Sequence, residues 1–280
     1  MAVLFALFAL FAAAAYGVSD FLGGLASRRA AAVTVLLVSY PVGALLMAGA
    51  LPFYGGPVTA STLWWSIAGG GAGLAGVALL YSALAQAPMN IISPVTAVMS
   101  AVVPVLGGVV QGERPHLLAW LGIALGLVAV VLISRQPEDH PHGPVGWRPL
   151  GMAVLAGVGF GAYFICLAQS DTDSGIWPVV ISRGVSAVLL VPIAFAGSKF
   201  VRMSSGALGL AAVAGVLDAG ANVAFLLASR HGLLSLSGVI TALYPAGTVL
   251  LAVLILKEHT GRVQRAGLGL ATAAIVLLTR

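Results

Sequence analysis

Residues 76–132 read GVALLYSALAQAPMNIISPVTAVMSAVVPVLGGVVQGERPHLLAWLGIALGLVAVVL, and residues 221–277 follow the same plan, ANVAFLLASRHGLLSLSGVITALYPAGTVLLAVLILKEHTGRVQRAGLGLATAAIVL. At an offset of 145 positions Glu113 falls on Glu258, Gly122 on Gly267, Thr96 on Thr241, Ala97 on Ala242 and Ala83 on Ala228. Each copy holds two apolar helices, a short polar break with one glutamate, and a Gly-rich apolar helix. Upstream the correspondence continues at an offset of 144, with Tyr16-Gly17 on Phe160-Gly161 and Ser39 on Arg183. A duplicated unit of this kind points to a membrane protein with a solute path between its halves.

Composition requires lipid as the solvent. Of 280 residues, 60% are hydrophobic and 8% charged, and the mean hydropathy is +1.08. No soluble domain of this length buries so much apolar surface. The net charge of +5 comes from basic residues placed singly or in pairs in loops, which is how topology is encoded, not how nucleic acid is bound. A single cysteine, Cys166, excludes an internal disulfide and a cysteine-rich metal site. The first apolar stretch has neither a basic leader nor a small-residue cleavage site, so it reads as a helix and not as a cleavable signal.

The apolar runs predict ten helices, over 2–22, 31–51, 63–85, 89–111, 117–134, 149–169, 176–196, 207–228, 233–256 and 263–279. Barrel strands would alternate in polarity, and these segments do not. The fold class is therefore an all-α integral membrane protein. The polar run RQPEDHPHGPVGWR, 135–148, links a first five-helix repeat, 1–134, to a second, 149–280. An odd helix count per repeat inverts one repeat relative to the other, and an even total places both termini on one side. Loops after the odd-numbered helices hold Arg28, Arg29, Arg135, Arg148, Lys199, Arg202, Lys257, Arg262 and Arg265; the opposite side holds Arg114, Arg230 and Arg280. By this bias the termini lie outside the cytoplasm.

The aromatic-Gly pair Tyr16-Gly17, the steps Gly112-Glu113 and Lys257-Glu258, and the glycines Gly122, Gly126, Gly267 and Gly269 that follow make the chain resemble the EamA branch of the drug/metabolite transporter superfamily. The resemblance covers nearly the whole chain. It implies a ten-helix secondary transporter of the plasma membrane, often an exporter of amino acids or other small metabolites. It also implies cytoplasmic termini, opposite to the charge count. Its partners would be a small-molecule substrate and the bilayer. No cofactor, metal or nucleic acid is expected, and one chain holding both halves suffices as a monomer, with an oligomer also possible.

Ionisable residues at membrane depth carry the candidate chemistry. Arg183 and Asp218 read either as cavity residues, with Arg183 binding a substrate carboxylate, or as an ion pair holding two helices together. Asp218 and Asp20 are the candidates for proton coupling. Tyr16, Ser39, Tyr40, Tyr81, Asn90, Ser93, Thr96, Tyr163, Asn222, Thr241 and Tyr244 are candidate cavity-lining residues; their alternative is interhelical packing and hydrogen bonding. Ser93, Thr96 and Ser100 share one helical face. Glu113 and Glu258 read as caps on the helix that follows each, or as gating residues between the halves. Pro94, Pro104 and Pro245 mark expected kinks. Metalloprotease and Ser-His-Asp patterns are absent, which argues against a membrane enzyme. There are no charged rings or filter loop, which argues against a channel. A non-transporting scaffold is the remaining alternative.

Overall fold

A computed structural model describes residues 2–87, 89–134, 146–196, 203–257 and 261–279. Of the described residues 87% are helical. The helices are α1 (Ala2–Ser27), α2 (Ala32–Tyr54), α3 (Ala60–Leu84), α4 (Met89–Val110), α5 (Leu117–Ser134), α6 (Trp147–Gln169), α7 (Trp177–Ala196), α8 (Ser205–His231), α9 (Leu234–Thr241), α10 (Tyr244–Leu256) and α11 (Arg262–Leu278). Among the described residues the only extended pairing is an isolated bridge between Gly55 and Gly175. Among the described residues nine spans are long and apolar enough to cross a membrane, one of them Leu234–Leu256, made of α9 and α10; α11 has 17 residues. The outer surface is apolar, with Val110 86%, Leu117 83% and Leu254 74% exposed. In water such a surface would drive aggregation; against lipid tails it has no such cost.

Two helices run past their expected ends, through glycine and proline. α1 continues through Gly23-Gly24 to Ser27, and α2 runs through Pro52 to Tyr54. In lipid an unpaired carbonyl is so costly that a helix persists past residues that would end it in water. Pro94 and Pro104 likewise sit inside a continuous α4. The expected 233–256 helix does break, at Ala242-Leu243, because Pro245 has no N–H to bond the Thr241 carbonyl. α6 starts at Trp147, inside the expected linker; 135–145 lie outside the described residues.

The extensive helix contacts join one half of the chain to the other: α1 with α8, α3 with α6, α5 with α11, α4 with α6 and α9, and α2 with α7 and α8. Small residues permit this close approach. A Cβ on Gly122 of α5 would stand 2.9 Å from Leu278 of α11; a Cβ on its repeat mate Gly267 would stand 2.9 Å from Ile133 of α5. Ile133 is itself the repeat mate of Leu278, so one contact is made twice with the roles exchanged. Gly70 of α3 packs against Ser182 of α7, and its repeat mate Gly215 of α8 packs against Ser39 of α2, one position from the mate of Ser182.

The first turns of α1 and the last of α11 share a cluster containing Phe5, Ala119, Ile123 and Leu278. Gly232, after α8, abuts Phe5. This end of the bundle is the terminal face; the opposite end, with the 28–31 turn, is the linker face. On the terminal face the two halves are tied by their loops. Ile176 N donates to Tyr54 O (3.1 Å), and Thr59 Oγ1 donates to Asp171 Oδ2 (2.8 Å). Arg230, in the last turn of α8, donates to the Gly175 carbonyl (2.9 Å) and the Asp171 carbonyl (2.8 Å). Gly175 has φ 59°, a conformation that favours glycine.

Candidate functional site

A cavity of about 470 Å³ lies between the halves. Its wall runs from Ser27 and Ala32, at the α1–α2 turn, to Tyr244 at the start of α10. The residues come from α1, α2, α3, α4, α6, α7, α8 and α10, so both halves build it. The α9–α10 break matters here, since Tyr244 is the first residue after it.

The cavity carries a chain of polar contacts. Arg183 of α7 pairs with Asp218 of α8. Asn222, one turn from Asp218, donates from Nδ2 to the Asp218 carbonyl (2.6 Å) and lies 3.4 Å from its Oδ2. Tyr16 of α1 donates its hydroxyl to Asn222 Oδ1 (2.6 Å). The Arg183 guanidinium carbon sits 4.9 Å from the centre of the Tyr40 ring of α2, a cation–π contact. Arg183 Nε is buried without a hydrogen-bond partner among the described residues. The Tyr163 hydroxyl faces Ser182 and Arg183 without a hydrogen bond of sound geometry. Rings pack around the network, Tyr16 on Phe164 (6.1 Å) and Tyr16 on Tyr244 (6.3 Å).

Of the residues expected from the sequence, Tyr16, Asp20, Ser39, Tyr40, Tyr81, Tyr163, Arg183, Asp218, Asn222 and Tyr244 line this cavity. Ser93 and Thr96 do not; Thr96 instead donates to the Ala153 carbonyl (3.2 Å), while Ser100, on the same face, does line it. Thr241 is buried with its hydroxyl unpartnered among the described residues and away from the lining. Asn90 lies in the first turn of α4, and its side chain is outside the described residues, as is Glu258. Glu113 does not cap the helix that follows it. Its carboxylate accepts from Leu234 N (2.5 Å) and Ser235 N (3.0 Å), at the start of α9 in the other half. α5 finds another cap, since His116 Nδ1 accepts from Ala119 N. Further lining comes from Ser19, Ser182, Ser186 and Phe164. The spacing of Ser182 and Ser186 around Arg183 was a readable signal, because positions four apart share a helix face.

A sequence profile of the EamA-like transporter family matches residues 3–135 and again residues 147–280. No curated protein matches the chain. Among solved structures, one described simply as a crystal structure of a protein superposes with a TM-score of 0.80 at 17% identity, over 97% of this chain and 95% of that one. At that identity the likeness shows the fold alone.

Proposed function

Because the chain belongs to the EamA-like transporter family, we propose that it is a secondary active exporter of small organic metabolites such as amino acids. Two inverted five-helix repeats, 1–134 and 149–280, joined by the 135–148 linker and crossing the membrane ten times in all, would alternate access to a site between them. Family members are transporters, so the multi-pass membrane character and the transport class follow directly. The observation that carries the finer reading is the cavity between the halves, lined from both and crossed by the Tyr16–Asn222–Asp218–Arg183 network. The glycine contacts made twice with exchanged roles support the inverted arrangement.

The protein resides in the plasma membrane with both termini on one side, as the cluster joining α1 to α11 supports. One chain, as a monomer, holds the complete path. Arg183 receives a substrate carboxylate by exchanging it for Asp218, and the released Asp218 takes up a proton. The groups facing Asp218 are Arg183 from α7 and Asn222 on its own helix, with Tyr16 of α1 behind Asn222. As a secondary transporter it is driven by an ion or solute gradient.

Counterflow of labelled amino acids in proteoliposomes tests the transport reading, and exchange by the wild type is expected. An absence of exchange across a broad panel would overturn it. Asp218→Asn should flatten the pH dependence of transport; an unchanged profile would remove Asp218 from the proton step.

A further inference from the structure

The charged residues lining the cavity, among those described, are Asp20, Arg183 and Asp218. Arg183 and Asp218 compensate each other's charge. Asp20 has no ion pair or hydrogen bond among the described residues, and its side chain is exposed where it lines the cavity. Tyr16, Tyr40, Tyr81 and Tyr244 line the same cavity. The cavity thus holds one carboxylate without an ion pair among the described residues, in a wall that also carries these four tyrosines. An ionised carboxylate at this depth without a partner is costly, and a cation bound beside it removes that cost. Tyrosine faces attract cations as well. The wall already shows this preference, since the Arg183 guanidinium is seated on Tyr40. A solute with a carboxylate alone meets a repelling Asp20 and must displace Asp218 from Arg183 with no ammonium to offset that repulsion.

We propose that Asp20 docks the cationic nitrogen of the transported solute, so that amines and zwitterions are accepted and free acids are refused. This rests on the transporter reading and narrows its substrate class. A cavity of this size accommodates one aromatic ring with a short arm. Four probes therefore differ mainly in charge on a common phenyl frame: phenethylammonium, phenylalanine, 2-phenylethanol and 3-phenylpropanoate.

With the purified full chain, phenethylammonium and phenylalanine should bind saturably, the ammonium at least about tenfold more tightly than the alcohol, the ratio expected of one charge-assisted contact. 3-Phenylpropanoate should not displace either. Asp20→Asn should abolish the ammonium-over-alcohol preference, and Asp20→Glu, which keeps the charge, should restore it. An Asp20→Asn protein that elutes and melts like wild type shows that the fold is intact. If that variant keeps the preference, if 3-phenylpropanoate binds best, or if neither amine binds saturably, the proposal is wrong. Counterflow of the same probes separates this from the broader reading. Binding of the ammonium without flux of any probe overturns transport and leaves the site; flux of the propanoate without the ammonium overturns the site and leaves transport.

Discussion

Arg183 brings a full charge to a position where 9% of its side chain is exposed, whereas Asp218 keeps 26%. The two losses are therefore unequal. Asp218→Ala strands a guanidinium that cannot shed its proton, at about 3 kcal/mol, the low end for a broken buried pair because the site borders a cavity. Arg183→Ala leaves a carboxylate that can reach the cavity or protonate, and should cost less. The double variant should recover part of the Asp218→Ala loss. Unfolding midpoints in detergent check this ranking, and strict additivity would mean that the pair is not coupled. Glu113 offers a second test. Glu113→Gln keeps the shape but weakens the charge-assisted cap on α9, at about 1 kcal/mol, with faster amide exchange at Leu234 and Ser235. The legibility of the two sites differs for a physical reason. Arg183, Asp218 and Asp20 stand out in the sequence because charge is rare within apolar runs. The partner of Glu113 lies 121 positions away, and only the packing of one half on the other selects it. Thr96 and Thr241 are repeat mates, so the sequence alone had no basis for separating a satisfied hydroxyl from an unpartnered one.

Most of the helices are legible because nine spans among the described residues are apolar runs long enough for a bilayer, while their ends are less so because lipid suppresses the usual stop signals at Gly23-Gly24 and Pro52. Which glycines matter was also hidden, since a sequence shows their spacing and not what faces them. α11 gives a direct comparison. Gly267 is pressed against Ile133 and Leu132, with a neighbouring backbone atom 2.9 Å from where an alanine methyl would stand, while nothing lies within 4 Å of the equivalent point on Gly269. Gly267→Ala should cost about 1–3 kcal/mol by overpacking the α5–α11 contact. Gly269→Ala should instead be neutral or stabilise by a few tenths to about 1 kcal/mol, since alanine is the better helix former. Thermal melts of the two variants side by side decide it. Equal behaviour would mean that α5 and α11 do not pack as described.

At the scale of the molecule, the two halves share a plan but not their closures. Arg230 and Asp171, which tie the terminal face, fall on Ala85 and Ser27 in the first half, where no charge can form the same clamp. The cavity reaches Ser27 and Ala32 on the linker face. On the terminal face, two repeat mates of its lining are instead packed shut: Val179, mate of Val35, and Leu226, mate of Tyr81, lie in one buried cluster with Phe225 and Leu167. Under the proposed alternation, opening toward the terminal face must break the Arg230 contacts and expose that cluster. A cysteine in place of Val179, in a Cys166→Ser background, should resist a membrane-impermeant maleimide, because Val179 is fully buried. Adding Arg230→Ala removes the hydrogen bonds to the Asp171 and Gly175 carbonyls, a shift of about 2 kcal/mol or more from charge-assisted contacts, and should raise the labelling rate severalfold. The increase should require reagent on the terminal face. Rapid labelling before Arg230 is changed would show that the cluster does not close this face; no change after it would show that Arg230 does not hold it closed.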